Sequence, residues 1–177
     1  MNFRICLYVS AVAMLATSCD QQKTDLVLDE NLPDQTMKNA TIQHTDSGRL
    51  QMIMWGEEIW NFDDEDETQE FPKSVKATFY SETGKITTII TADEGTNWQK
   101  KKLMNLRKNV VIRNFRDGKT TYTEDFYWNQ ETGRIYSNVR VMQVDKYGKT
   151  WGDGFESDEN MEQFEMIRPR MDRMIGQ

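Results

Sequence analysis

The stretch that decides the fold is Leu106 to Gln143, which reads LRKNVVIRNFRDGKTTYTEDFYWNQETGRIYSNVRVMQ. Three runs rich in β-branched and aromatic residues, which are typical of strands, are separated by two short polar turns. Asp117-Gly118 predicts a hairpin with a type I′ turn, because both central residues of that turn need a positive φ. Thr132-Gly133 marks the second turn. The stretch therefore predicts three antiparallel strands.

The same unit recurs along the chain as a strand-like run, a polar turn with a glycine and then a base, and a second run. The glycines of four such turns are 36, 34 and 30 residues apart: Gly48, Gly84, Gly118 and Gly148. Apolar residues alternate in the flanking runs, as Val75, Ala77 and Phe79 do before the second turn. We interpret Ile135, Val139 and Val141 as one face of the last long run.

One such unit cannot bury its own apolar face, so stacked units must share a core. The fold choices are a β-sandwich or jelly roll, a closed barrel and a β-solenoid. Similar but unequal hairpins favour an all-β fold, a twisted open jelly roll built from repeated antiparallel hairpins. Almost no helix is expected after residue 20, except for a short turn near Pro169 in the tail.

The N-terminus has the composition of a targeting segment. Arg4 precedes an apolar run, Ile5 to Leu15, that is too short to cross a bilayer stably. Ala16-Thr17-Ser18-Cys19 resembles a bacterial lipobox, which implies cleavage after Ser18 and acylation of Cys19. The alternative is an ordinary signal peptide with an incidental cysteine. Removal of Cys6 with the signal leaves Cys19 as the one cysteine, and a leftover cysteine in an exported protein needs a role.

The predicted organisation is a signal peptide at 1–18, a lipid-anchored tether at 19–41, a β-domain at 42–168 and a tail at 169–177. The formal charge of the chain is −7, and loss of Arg4 with the signal makes it −8. Such a charge argues against nucleic-acid partners and against broad electrostatic adhesion to anionic lipid.

Catalytic motifs are missing from the sequence. The chain has one histidine, His44, and no nucleophile elbow, zinc-binding H-E-x-x-H or P-loop. Six acids between Asp63 and Glu70 lack the spacing of a calcium loop, so we interpret them as a solvated loop. We expect no enzyme, no metal and no cofactor, although two acids of a glycosidase would leave no signature.

A resemblance to a known family rests on several phrases: Leu103–Asn114, Asp117-Gly118, Thr123–Asn129, Arg134–Asn138 and Gly152–Ser157. They are similar to the LptC family, the periplasmic components of the lipopolysaccharide export transporter, over roughly 37–166. The resemblance implies a β-jelly roll that accepts lipopolysaccharide from the permease subunits of an inner-membrane ABC transporter. It would pass the lipid to a periplasmic bridge protein of the same fold.

The chain departs from the best-known family members at its anchor, because they keep an uncleaved transmembrane helix and this chain resembles a lipoprotein. We therefore expect a periplasmic domain held on a membrane by its lipid. Asp20, directly after Cys19, resembles an inner-membrane retention signal, so the inner membrane is the expected location.

A lipid with several acyl chains needs an apolar trough, which the inner faces of a jelly roll can provide. The candidate lining residues are Val75, Phe79, Ile86, Ile90, Val110, Ile112, Tyr122, Phe126, Ile135, Val139 and Val141. The alternative for each is plain core packing. We also expect a last strand from Met161 to Ile167, ended by Pro169, to offer a free edge to the bridge partner. The candidate edge residues are Met161, Phe164, Glu165 and Ile167.

Two other functions fit the same sequence. One is a lipoprotein scaffold of an outer-membrane assembly with a closed, dry core. The other is a carbohydrate-binding or carbohydrate-active β-sandwich, in which tryptophans provide stacking surfaces. The chain has five of them: Trp55, Trp60, Trp98, Trp128 and Trp151.

Overall fold

The structure, a computed structural model, describes residues 32–46 and 48–173, whose strands form one antiparallel sheet. Its thirteen strands are β1 (Gln35–Asp46), β2 (Arg49–Asn61), β3 (Thr68–Tyr80), β4 (Ile86–Ala92), β5 (Glu94–Trp98), β6 (Leu103–Asn114), β7 (Thr120–Asn129), β8 (Arg134–Ser137), β9 (Val141–Asp145), β10 (Gly148–Gly152), β11 (Gly154–Asp158), β12 (Glu165–Ile167) and β13 (Arg170–Arg173). Within the described residues, no helix is long and apolar enough to cross a membrane.

The long strands change neighbours halfway along their length. In β3, Thr68–Phe71 pair with β5 and Val75–Tyr80 pair with β4. β6 pairs with the same two strands, and β7 pairs with β9 through its first half and with β8 through its second. The sheet therefore folds into two layers. Layer one contains β4, β9, β10 and β13, layer two contains β5, β8, β11 and β12, and the long strands pass through both.

The line along which the sheet folds, called the corner below, is marked by unusual backbone conformations. Five non-glycine residues on it have positive φ: Asn39 (49°), Ser74 (38°), Lys108 (62°), Asn109 (49°) and Arg168 (49°). Where no long strand turns the corner, the ladder breaks instead, at Asp93, at residues 138–140 and at Asp153. Left-handed residues and breaks bend a strand sharply, which lets one chain supply both layers.

The apolar core lies between the layers. Phe71, Phe126 and Phe155 are almost fully buried in it. Phe79 of layer one meets Trp128 of layer two edge-to-face, with ring centroids 5.5 Å apart. Aromatic pairs of this geometry add about 0.5–1.5 kcal/mol to the free energy of unfolding beyond the area they bury.

The predicted all-β jelly roll of antiparallel hairpins is confirmed. The four turn glycines have positive φ: Gly48 (78°), Gly84 (76°), Gly118 (71°) and Gly148 (147°). The hairpin at Asp117-Gly118 forms, but the predicted type I′ turn is wrong. Its connection covers 115–119 and, of these residues, only Gly118 has a positive φ.

Three boundaries differ from the predicted ones. β1 begins at Gln35, inside the expected tether, and β13 lies in the expected tail, where a short turn was predicted. The third run near Gln143 is two strands, β8 and β9, separated by a bend at 138–140. This bend leaves Val139 37% exposed, so its predicted inward position is wrong. The signal peptide, Cys19 and residues 174–177 lie outside the described residues.

Ile135 and Val139 give a direct test of this bend. Ile135→Asp should lower the free energy of unfolding by several kcal/mol or prevent folding, because Ile135 is 3% exposed and an unpaired buried charge is costly. Val139→Asp should change it by about 0.5 kcal/mol or less, as surface substitutions do. Urea unfolding followed by tryptophan fluorescence measures both. Equal losses would mean that the strand continues unbroken through 138–140.

Candidate functional site: the mouth between the layers

The turns at the far ends of the strands form two rims that face each other. The rim of layer one contains Gly48 and the connections 81–85, 115–119 and 146–147, and the rim of layer two contains 62–67, 99–102, 130–133 and 159–164. Backbone hydrogen bonds link neighbouring parts of each rim. Phe115 N–H donates to Thr87 O at the start of β4, and Gln130 N–H donates to Lys102 O in the next turn. Among the described residues, contacts between the rims are made by side chains.

A cavity of about 460 Å³ lies between the rims and is called the mouth below. Its apolar wall is made by Met52 and Phe79 of layer one and Trp128 of layer two. Polar side chains surround this wall: His44, Gln51, Lys102, Gln130, Glu159 and Asn160. An apolar wall with a polar border suits an amphipathic ligand, and the volume lies within the range of small-molecule sites.

Two buried polar atoms beside the mouth have no hydrogen-bond partner among the described residues. They are Nε1 of Trp128 and Oγ1 of Thr88, and Thr88 pairs across the strands with Phe79, which touches Trp128. An unsatisfied buried donor or acceptor costs about 1–3 kcal/mol. A ligand that brings an acceptor to the indole N–H would remove this cost.

The connection between β11 and β12, residues 159–164, covers part of the opening and is called the strap below. Met161 is buried with a φ of 59°, and Phe164 stacks on Phe155 with centroids 5.0 Å apart. Glu162 forms an ion pair with Arg116 on the opposite rim. The strap thus packs on the core through Met161 and Phe164, and it reaches the opposite rim through one exposed charge pair.

Asp158 fastens the base of the strap. Its Oδ1 accepts hydrogen bonds from the backbone N–H groups of Glu162 at 2.7 Å and Gln163 at 2.8 Å. Partial burial opposes ionisation of Asp158, but the N–H donors of Gln163 and Glu162 outweigh it and hold its pKa below the usual value. A depressed carboxyl pKa stabilises the fold above the unfolded pKa, and this contribution is lost as the pH falls through the folded pKa. The strap is therefore fastened at neutral pH and loosens in acid.

The structure places most of the predicted lining residues in the packed core. Seven of them are buried between the layers: Val75, Ile90, Val110, Ile112, Phe126, Ile135 and Val141. Phe79 is half-buried at the mouth. That these residues contact a lipid stays a prediction. The mouth also contains two apolar residues that the alternation did not single out, Met52 and Trp128, because nothing in the sequence relates the ends of distant strands.

Two further lining residues are on the wrong face, in addition to Val139. Ile86 is 45% exposed, because Tyr80 pairs with Ile86 and Phe79 with Thr88, so Thr87 is an extra residue in the ladder. Such a bulge flips every side chain beyond it to the other face.

Tyr122 is 40% exposed, although Phe126, at the same parity in β7, is buried. The ladder between β6 and β7 shifts register between Arg107 and Val110, at the corner, which reverses the inward face.

The predicted edge strand is shorter than expected. Only Glu165–Ile167 form β12, which pairs with β11. Met161 and Phe164 belong to the strap and face the core, so their predicted place on an edge strand is wrong. The physical reason is that Met161 takes a left-handed conformation, which ends the extended run.

The acidic segment contributes to a turn of the layer-two rim. Asp64 Oδ1 accepts the backbone N–H groups of Asp66 and Thr68, and Asp66 forms an ion pair with Lys101. Most of its carboxylates are exposed, as predicted for a solvated loop. In the part of the chain that the structure describes, no group of three metal-ligating side chains is found.

The fold and the mouth define a class of protein, the antiparallel β-jelly rolls whose two layers join at one corner and open on the other side. Within it, the family model described as "Lipopolysaccharide-assembly, LptC-related" matches residues 4–169, and the chain belongs to this LptC family. A comparison with curated proteins finds no match. The predicted family is confirmed. The chain is therefore a non-enzymatic component of lipopolysaccharide transport, whose family faces the periplasm at the inner membrane and interacts with transporter components.

Loss of the Asp158 carboxylate should free the strap without unfolding the domain. In Asp158→Ala the amides of Glu162 and Gln163 lose their acceptor, so their hydrogen exchange should accelerate by about tenfold, the equivalent of one hydrogen bond to a charged group. Exchange measured by mass spectrometry or NMR at neutral pH tests this. In the unsubstituted protein, protonation of Asp158 in acid should likewise reduce the protection of these two amides relative to their intrinsic exchange rates at the same pH.

Asp145→Ala is the matched control. Asp145 Oδ1 accepts the N–H groups of Tyr147 and Gly148 in the same way, but on the other rim. This variant should accelerate exchange in its own turn and leave the strap unchanged. Unaltered protection of the strap in Asp158→Ala would show that side-chain packing alone holds it.

Proposed function

We propose that the chain accepts lipopolysaccharide from the inner-membrane ABC transporter through the mouth, holds its acyl chains between the two layers, and passes it to a periplasmic protein of the same fold. The observation that carries the proposal is the mouth itself. It combines an apolar wall, a polar border and an indole N–H that has no partner among the described residues.

The packed core suits a lipid carrier in its empty state, because its apolar side chains are covered until lipid binds. Phe79 and Trp128 separate first as the rims part, because they lie at the mouth, and their apolar faces then contact the acyl chains. Once the rims have parted, ester or amide carbonyls at the head of the chains would offer acceptors to Trp128 Nε1, which is buried without a partner among the described residues. The sugars, which are strongly hydrated, stay at the polar border among side chains such as Lys102 and Gln130.

A photo-reactive amino acid tests the route. Benzoylphenylalanine in place of Phe79, in the membrane-borne protein of growing cells, should capture lipopolysaccharide on irradiation, because the side chain lies in the mouth. The control is the same substitution at Lys76, three residues earlier in β3 and exposed on the outer face. Immunoblots for lipopolysaccharide measure the crosslinked product of both variants. Equal capture at Phe79 and Lys76 would contradict passage through the mouth.

The anchor is a separate part of the proposal, supported by the lipobox-like Ala16-Thr17-Ser18-Cys19. Acylation at Cys19 would hold the domain on the inner membrane, where several acyl chains at about 0.8 kcal/mol per buried CH₂ give stable attachment. Cys19→Ala should move the protein to the soluble fraction or stall its processing, while Cys6→Ala should change neither. A Cys19→Ala protein that stays membrane-bound after cleavage elsewhere would exclude lipid anchoring at this residue.

We place the contact with the bridge partner at β12, which pairs with β11 on one side and ends the strand order of the described sheet. A strand from the partner would extend the sheet by main-chain hydrogen bonds, so that acyl chains pass between proteins without crossing water.

A pair of proline variants tests this edge. Successive N–H groups in a strand point to opposite sides, so Glu165→Pro and Met166→Pro each remove a donor from a different side of β12. One variant should lose partner capture and keep its melting temperature, and the other should melt earlier. Normal capture by both would move the bridge contact to another edge, with β1 as the next candidate.

A further inference from the structure

Three strand connections lie at the corner in the C-terminal third of the chain: β8 to β9, β10 to β11 and β12 to β13. They bring together Arg140, Asp153 and Arg168, and Arg170 begins β13. A cavity of about 290 Å³ lies between them, lined by Arg140, Trp151, Gly152, Asp153 and Arg170. We call it the arginine pocket.

The charges in the arginine pocket are unbalanced. One oxygen of Asp153, Oδ2, lies 3.4 Å from Nη1 of Arg168 and 3.5 Å from Nη2 of Arg170. Among the described carboxylates, none forms a salt bridge with Arg140. Two guanidinium groups therefore share one carboxylate, and Arg140 lines the same cavity without an ion pair among the described residues, in a chain whose formal charge is −7. Guanidinium groups with free donors bind carboxylate and phosphate strongly, so the pocket selects an anion.

The walls of the pocket limit the size and the direction of approach of this anion. Trp151 lies directly opposite Arg170 in the ladder between β10 and β13 and gives an apolar surface beside the charge. The inner side is closed at Gly152, where a Cβ would lie 2.3 Å from Met166 Cγ and 3.0 Å from Ile167 O. The occupant must therefore approach from outside the domain, and a charged group at the end of a short side chain suits a pocket that is closed on its inner side.

The last two strands lie beside the pocket. Arg168 directly follows β12 and Arg170 belongs to β13, and among the described strands these pair only with β11 and β10. A strand added along this end would carry its side chains over the arginine pocket. Tryptophan and arginine are also the residues that most often dominate the affinity of protein interfaces.

We propose that the arginine pocket receives an Asp or Glu side chain of the strand that the bridge partner adds along β12 and β13. The inference rests on the edge contact proposed above, and it adds the residue chemistry that fixes the partner's identity and register. An anionic lipid headgroup is the less favoured occupant, since the pocket and the mouth have no lining residue in common.

The test uses the full-length protein in membranes of its native host, with benzoylphenylalanine in place of Met171, which is 64% exposed and next to Arg170. Mass spectrometry of the crosslinked peptide should find a protein segment that contains an Asp or Glu. The double variant Arg140→Glu/Arg170→Glu should lower the crosslink yield by about tenfold or more, because it replaces two attractive charges with repulsive ones.

Arg113→Glu is the matched control, since Arg113 is an exposed arginine of layer one at a distance from the corner. It should leave the yield unchanged. Changing the mapped acid of the partner to Arg should restore capture by the double variant. If circular dichroism shows that the double variant melts early, Arg140→Gln/Arg170→Gln, which introduces no repulsive charge, should still lower the yield.

The outcomes separate the pocket from the edge contact. A crosslink to lipopolysaccharide would assign the pocket to a headgroup and overturn the proposal, and an equal loss in Arg113→Glu would reduce it to general charge attraction. Normal capture by both pocket variants, with loss in one of the proline variants of β12, would reject the pocket and keep the edge. Normal capture by the pocket and proline variants alike would reject both.

Discussion

The structure depends on one constraint, that a single antiparallel sheet must turn a corner while its long strands stay paired with their neighbours. The cost is concentrated in a few residues, since a left-handed non-glycine residue costs roughly 1–2 kcal/mol. Local contacts at the centre of the corner offset this cost. Asp93 N–H donates to Lys108 O at 3.0 Å, and Asn109 Nδ2 donates to Asp93 Oδ2 at 2.6 Å. Lys108 and Asn109 thus keep the left-handed conformation that bends the strand, although non-glycine residues disfavour it. This bend separates β6 into its layer-one and layer-two halves.

The corner also determines where the molecule can open. Strands pass through the corner, so the layers are covalently and hydrogen-bonded neighbours there. At the rims, the described contacts between layers include the Phe79–Trp128 pair and the ion pair between Arg116 and Glu162 of the strap. Exposed ion pairs contribute about 0–1 kcal/mol, and one aromatic pair adds about 0.5–1.5 kcal/mol beyond its burial, so these contacts hold the rims weakly. The same topology that closes one side firmly therefore leaves the other side, within the described residues, closed by side chains.

The difference between local features and pairing across strands explains what the sequence could and could not predict. The turn glycines and the alternating runs are local features, and they correctly indicate the hairpins and most of the core. The faces of Ile86, Tyr122 and Val139 were predicted wrongly, because each lies beyond a bulge or bend. The bulge at Thr87, whose hydroxyl donates to Phe79 O at 3.4 Å, depends on pairing between two strands and leaves no period in either one.

The mouth was beyond prediction for a related reason, since Met52, Phe79 and Trp128 come from three strands that only the corner brings together. Their closed arrangement also bears on how a packed core can serve a lipid carrier. Exposing a buried apolar side chain such as Phe126 costs about 1.5–3 kcal/mol. That cost is recovered when acyl chains cover the same surface, because apolar contact stabilises without regard to which apolar group supplies it. In the proposed function, the domain and its lipid would therefore compete for one surface: the layers would pack on each other when empty and on the acyl chains when loaded. A transfer between proteins would then need no large net change in buried apolar area.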